Sequence, residues 1–440
     1  TYLRGFEKTN VSLEAHWKDD ILTVASFNVF AGEGRIGGKG KLFMKESLSS
    51  NDFELNWERI DLKLFQPWLV QTLPIESLSS GKVNLRWYKL ALDDLNMKAD
   101  IRFDPPKTFS RSKGIPLKGM VNVYAHSGAA EVLIKELNYA AADVRGSFGI
   151  TENSLSGQYW IETKNLSQTL SILSFFIPDD TKKTLHQLSP DGYLRISGKI
   201  KGRPADAAID VEITGKDISV ERLSGLNLEG IIRLEKQTAV IDIFRIYDEE
   251  MSMELAGSLP FNMRENEFDI SLAMNKISIQ RIIEGMNIDV DPGSVFDLSA
   301  DLKGTVLDPV IRISVISDRF KCFNQEFGTI DLSAQFEKNK LSVDSLGIQK
   351  GAAKIHMTGF YDLKSQSYFW DLSADSFHLD NLVLPGSESA LAGHVDFSVQ
   401  AKGSLSSPII TARMSTQDLE YAGFNIGNIR LLGRSDLNGF

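Results

Sequence analysis

A single cysteine in 440 residues, Cys322, excludes an internal disulfide and a thiolate-based zinc site, and is best read as a small buried hydrophobe. Long apolar runs are also missing. The richest, Ile172-Leu173-Ser174-Phe175-Phe176-Ile177, stops at Pro178 and falls far short of the ~20 residues that cross a bilayer as a helix. Positive charge is in deficit, 48 Lys+Arg against 58 Asp+Glu for a net charge of −10, and no long basic run offsets it. Phosphate neutralisation is therefore disfavoured, and nucleic acid is not an expected partner. With 42% hydrophobic and 24% charged residues and only 13 prolines, the chain is neither disordered nor collagen-like.

Marked chemistry is equally scarce. Gly32-Glu33-Gly34-Arg35-Ile36-Gly37 fits a dinucleotide fingerprint, but Gly38 to Met44 continues as a strand with no helix N-terminus to hold a pyrophosphate, so a glycine-rich hairpin is expected. Asp289, Asp291 and Gly293 begin like a calcium loop, yet Ala300 stands where its closing Glu belongs. His16, His126, His186, His356, His378 and His394 show no metal-ligand spacing and read as isolated strand or surface residues. No nucleophile elbow or P-loop occurs. The expectation is a protein without catalytic residues, metal or cofactor.

What is present is alternation. Phe296-Asp297-Leu298-Ser299-Ala300-Asp301-Leu302 and Val395-Asp396-Phe397-Ser398-Val399-Gln400-Ala401 switch apolar and polar with period two, as do Phe268 to Met274, Ile209 to Ile213 and Ile330 to Phe336. These are strands with one apolar face. Polar clusters such as Glu337-Lys338-Asn339-Lys340 and Arg264-Glu265-Asn266-Glu267 separate them and suit hairpins. A largely antiparallel meander follows.

A longer repeat underlies this one. The segments opening at Gly192, Gly293 and Gly393 resemble one another, and their glycines stand 101 and 100 residues apart (293 − 192 and 393 − 293). Two continue alike, Gly304-Thr305-Val306-Leu307-Asp308-Pro309 and Gly403-Ser404-Leu405-Ser406-Ser407-Pro408, and an earlier opening is Gly81. Before each, the period lengthens to three or four: Leu166, Leu170, Leu173 and Phe176 after the cap Asn165; Ile279, Ile282 and Ile283; Leu379, Leu382 and Val383; Phe65, Trp68 and Leu69. One short helix per repeat is expected, although irregular strand spacing would give similar patterns. The repeats divide as 1–80 (partial), 81–191 with a helical segment near 165–188, 192–292, 293–392 and 393–440 (partial).

An apolar sheet face must be covered, at roughly 25 cal/mol per Å². The sheet can fold into a sandwich, close as a filled solenoid, or curl into a trough lined for hydrocarbon. About 35 to 40 strands of typical length, about 4.8 Å apart, would extend on the order of 170 to 190 Å, which suits a bridge better than a pocket. Met251, Met253, Met274, Met357 and Met414 could adapt to acyl chains, or simply fill a core.

The 100-residue cadence, the glycine-bounded opening strands, the continuations at Gly304 to Ile311 and Gly403 to Ile410, and Phe377-His378-Leu379-Asp380-Asn381-Leu382 together resemble the AsmA-like superfamily, in particular its TamB-type members. The likeness spans residues 55 to 440. It implies a mainly β fold: an elongated, mostly antiparallel curled sheet, the β-taco trough, built from repeats of about 100 residues with short punctuating helices. It further implies a periplasmic protein of diderm bacteria, anchored in the inner membrane by an N-terminal helix absent from this chain, which carries phospholipids between inner and outer membrane. TamB-type proteins also serve outer-membrane β-barrel assembly through a barrel partner. The chain starts at Thr1 without Met and is expected to be cut from something longer.

The expected groove lining, contacting phospholipid acyl chains, is Leu194, Ile196, Ile200, Phe296, Leu298, Leu302, Val395, Phe397 and Val399. The alternatives are a scaffold that pairs nascent barrel strands with a sheet edge and a filled β-solenoid.

Overall fold

A computed structural model of the chain describes residues 9–31, 33–44, 49–62, 75–88, 94–106, 116–139, 141–173, 190–204, 206–220, 223–278, 294–322, 325–379, 391–421 and 423–436. The chain divides into two compact units, Thr1–Lys236 and Gln237–Phe440. Both are mainly β and built from antiparallel strands paired in sequence order, except that the last two, Phe424–Gly427 and Arg430–Asp436, both pair with Ser407–Tyr421.

The first unit holds β1 (Thr9–Lys18), β2 (Ile21–Ala31), β3 (Gly34–Phe43), β4 (Asn51–Asp61), β5 (Leu78–Trp87), β6 (Asn96–Asp104), β7 (Leu117–His126), β8 (Ala129–Tyr139), β9 (Ala142–Ile150), β10 (Leu155–Thr163), α1 (Leu166–Leu173), β11 (Asp191–Gly202), β12 (Ala208–Val220) and β13 (Leu223–Glu235). The second holds β14 (Thr238–Tyr247), β15 (Ser252–Pro260), β16 (Phe268–Ser278), β17 (Val295–Gly304), β18 (Pro309–Cys322), β19 (Gln325–Glu337), β20 (Lys340–Lys350), β21 (Ala353–Asp362), β22 (Ser367–His378), β23 (Leu391–Ser404), β24 (Ser407–Tyr421), β25 (Phe424–Gly427) and β26 (Arg430–Asp436). The 26 described strands are fewer than the about 35 to 40 expected from typical strand lengths, because most run from 9 residues in β6 to 15 in β24.

Hairpin chemistry explains the meander. Lys338 and Asn339, with φ of 50° and 62°, join β19 to β20 as a two-residue turn closed by the Glu337–Lys340 pair. The glycine-rich stretch after Leu22 forms the β2–β3 hairpin, as its sequence suggested. The longest connections, after β4, β6, β10, β16 and β22, all leave from the end of even-numbered strands, whereas short turns follow strands of both parities, among them β2, β8, β12, β18 and β20. One margin of each unit therefore carries all the long excursions, interspersed with short turns, and the other carries only shorter connections.

Helix α1 belongs to the excursion margin. Asn165 caps it, its Oδ1 accepting from the Gln168 amide at 2.8 Å, and Leu166 is buried. It is the one helix among the described residues. Helices expected near residues 65–69, 279–283 and 382–383, and the stretch 174–188 after α1, lie outside the described residues, as do the Asp289 to Gly293 turn and the side chain of Cys322.

The core is a strip along the excursion margin. It contains Ile60, Leu117, Ala142, Ile218 and Leu226 in the first unit, and Ile277, Phe296, Ala374, Val395 and Leu419 in the second. A recurring bulge builds it. Arg59, Asp217, Lys276, Ser376 and Asp418, near the ends of β4, β12, β16, β22 and β24, adopt φ between 50° and 56° and shift the register by one residue, so the next residue turns to the apolar face. The freed amides are satisfied from the following strand: Ser80 Oγ accepts from Arg59 N at 2.9 Å, Asp297 from Lys276 N at 2.8 Å and Asp396 from Ser376 N at 2.7 Å. The glycines that open the repeats face the same bulges. Gly192 and Gly393 have φ of 127° and 115°, and a Cβ there would stand 2.7 Å from Asp217 O and 2.6 Å from Asp418 O.

Two serines complete the margin. Ser77 Oγ accepts from Leu117 N at 2.6 Å and donates to Leu117 O at 2.7 Å; Ser294 Oγ does the same with Lys321 N at 2.9 Å and Lys321 O at 3.1 Å. Each hydroxyl replaces one ladder pair beyond the strand end, with 1% and 0% of the residue exposed. Ser77→Ala should cost about 1–3 kcal/mol, because it strands a buried amide and carbonyl, whereas Ser398→Ala on the exposed face should change the urea midpoint little.

Candidate functional site

Directly opposed residues of antiparallel strands share a face, so the register can be followed across each unit. In the second unit one continuous row runs Ile246, Met253, Met274, Leu298, Val315, Leu332, Leu346, Met357, Leu372, Val399, Ala412 from β14 to β24. Every member is apolar and none is fully buried. A parallel row on the same face passes through Phe244, Leu255, Leu272, Ala300, Ile313, Ala334, Val343, Gly359, Trp370, Ala401 and Ile410.

The first unit has the same construction. Its row from β1 to β13 is Leu13, Phe27, Gly38, Leu55, Val83, Ala99, Val123, Val132, Phe148, Gly157, Ile200, Ile209, Leu234. None of these rows contains a charged side chain. Glycine and aromatic residues alternate across strands here for a steric reason: a Cβ on Gly157 would lie 2.5 Å from Phe148 Cδ1, and one on Gly81 2.5 Å from Trp57 Cζ2. The rings lie flat over the glycines, which keeps the face level. Tyr159 spreads over Gly198 in this way and donates to Asp210 O at 3.3 Å. Burial raises the pKa of its phenol, with Asp210 adding to the effect, so it stays neutral across the physiological range.

The opposite face is ionic. Cross-strand pairs Lys82–Glu54 (3.0 Å), Arg86–Asp52 (3.1 Å) and Arg233–Asp210 (3.5 Å) lie on the first unit, and Arg245–Glu254 (2.6 Å) and Lys303–Asp269 (2.9 Å) on the second. All are substantially solvated, so each contributes little stability; their effect is to keep this face wet.

The predicted lining falls on the apolar faces. Leu194, Ile196 and Ile200 share one face of β11, where Ile196 opposes Ile161 and Ile213. Leu298 and Val399 belong to one row of the second unit. Leu302 opposes Ile270 and Ile311, and Phe397 opposes Ala374 and Met414. Phe296 and Val395 share the face but are buried in the margin strip, with Phe296 edge-on to Phe320 at 6.0 Å. They support the sheet more than they line a surface. The expected lining does not include Leu332, Leu346 or Leu372, whereas Met274 and Met357 of the same row are read with the methionines of the apolar face.

Two polar readings change. Asp297, which alternation places on a merely solvated face, holds the Lys276 bulge through its carboxylate. His378 and His394, read as isolated, are register partners with ring centroids 4.2 Å apart. Among the described residues no group of three or more His, Cys, Asp or Glu is arranged to hold a metal, and no helix is long and apolar enough to cross a membrane. Comparison with family models and with curated proteins finds no match.

Proposed function

We propose that the apolar faces are lipid-bearing surfaces and that the chain is part of a periplasmic bridge carrying phospholipids between inner and outer membrane. The observation that carries this reading is the uninterrupted apolar row, eleven strands wide in the second unit. Completing the burial of one half-covered Leu, Ile or Met contributes roughly 1 kcal/mol, so such a row offers on the order of 10 kcal/mol to whatever covers it, less the cost of ordering the ligand. A row without charge or hydrogen-bonding side chains recognises hydrocarbon by transfer from water and discriminates little between chains. Acyl tails fit that chemistry, and movement along the row requires no bond to form or break. The resemblance to AsmA-like, TamB-type proteins adds the cellular setting: attachment to the inner membrane and an outer-membrane β-barrel partner.

The test is site-specific photocrosslinking in cells. A photoreactive residue at Leu298 or Phe397 should give phospholipid adducts, whereas at Ser299 or Ser398, on the ionic face, it should give none. Crosslinks to unfolded barrel proteins instead would support a scaffold, and an absence of adducts at all four positions would mean that protein covers the apolar face.

A further inference from the structure

We propose that His378 and His394 form a two-imidazole site for a divalent first-row transition ion of the copper, nickel or zinc type. The site is independent of the lipid-bearing face and lies on the reverse of it. Its origin is the bulge at Ser376, where φ is 50°. Strict alternation from Ala374 would point His378 to the apolar side; the extra residue instead turns Phe377 inward, opposite Val395, and delivers His378 to the ionic face beside His394. Asp396 fixes this arrangement by accepting the Ser376 amide at 2.7 Å.

The backbone brings the rings close. Leu379 N donates to Gly393 O at 2.9 Å in the neighbouring pair, which makes His378 and His394 a non-hydrogen-bonded pair, the type in which side chains approach most closely. Their ring centroids are 4.2 Å apart with the planes at 58°. Two imidazole nitrogens at about 2.0–2.1 Å from one ion are themselves about 3.3 Å apart in a tetrahedral shell and about 2.9 Å apart at cis positions of a square-planar one, both within reach of a rotation of these rings. Each imidazole has two nitrogens, so one can ligate while the other keeps a hydrogen bond. Gln417, the register partner of His394 on β24, continues the row, and water completes the shell. An imidazole pair without a carboxylate ligand favours ions of the Cu, Ni and Zn class over calcium or magnesium. The bound ion would clip β22 to β23 at the excursion margin.

Isothermal titration of the untagged chain with Cu(II), Ni(II) and Zn(II) salts should show one ion bound more tightly than any other, copper tightest. His378→Asn and His394→Asn should each weaken that site by about tenfold or more, while His356→Asn, an exposed histidine on the same side of β21, should leave it unchanged. Electron paramagnetic resonance of the copper complex should show two ligating nitrogens, falling to one in either variant. Circular dichroism establishes that each variant is folded. Wild-type affinity in both folded variants, or a nitrogen count that neither changes, would overturn the site.

Discussion

Leu298→Asp should abolish phospholipid copurification and lipid crosslinking in its neighbourhood while leaving the chain folded. Leu298 lies within the β14–β24 row, between Met274 and Val315. It is only half-buried, so water solvates an aspartate there when the face is empty. Once acyl chains cover it, the carboxylate must be desolvated with no partner in the row, a penalty of several kcal/mol. At tenfold per 1.4 kcal/mol, this would lower lipid occupancy locally by two orders of magnitude or more. Ser299→Asp, one residue along and facing the ionic side, should leave occupancy unchanged. Quantifying copurified phospholipid by mass spectrometry in both variants decides the matter, and equal losses would refute a single lipid-bearing face.

The reciprocal result is expected from Ile60→Ala: lower stability with lipid binding retained. Ile60 is 1% exposed, turned inward by the Arg59 bulge and seated over Gly34, where a Cβ would stand 2.6 Å from Ile60 Cδ1. Truncation leaves a cavity in the margin strip that rigid strands cannot close, and costs about 2–5 kcal/mol. Leu298→Ala removes a half-exposed side chain and should cost distinctly less. Urea unfolding of the two variants, followed by tryptophan fluorescence, measures the difference. Together the substitutions separate two uses of apolar residues, one that holds the sheet and one left for a ligand.

How much of this was legible depended on where the period of two persists. Along the middle of the strands it does, and Leu194, Ile196, Ile200, Leu298, Leu302, Phe397 and Val399 could be assigned to a face from alternation alone. Near the excursion margin the step becomes three, from Trp57 to Ile60, Met274 to Ile277 and Ala374 to Phe377. There the reading failed: the bulge residues looked like ordinary polar positions and Asp297 like a solvated one. The acceptor in the next strand was visible, as Asp297 and Asp396 stand at equivalent places in two repeats, but its donor lies 20 or 21 residues earlier, a distance that alternation does not connect. The His378–His394 pair escaped for the same reason. The residue-by-residue rows were beyond reach because a single bulge changes every cross-strand partner after it.

The arrangement of margins also sets a rule of arithmetic for the chain's lineage. Because successive strands run antiparallel and every long excursion leaves from the same margin of its unit, removing or duplicating two consecutive strands together with their connections returns the backbone to the same side, pointing the same way. Removing one strand would send every later excursion to the opposite margin and reverse the direction of each later strand. Recombination between the resembling segments that open at Gly192, Gly293 and Gly393 would move six strands at a time, β11 to β16 or β17 to β22, an even number that leaves what remains unchanged.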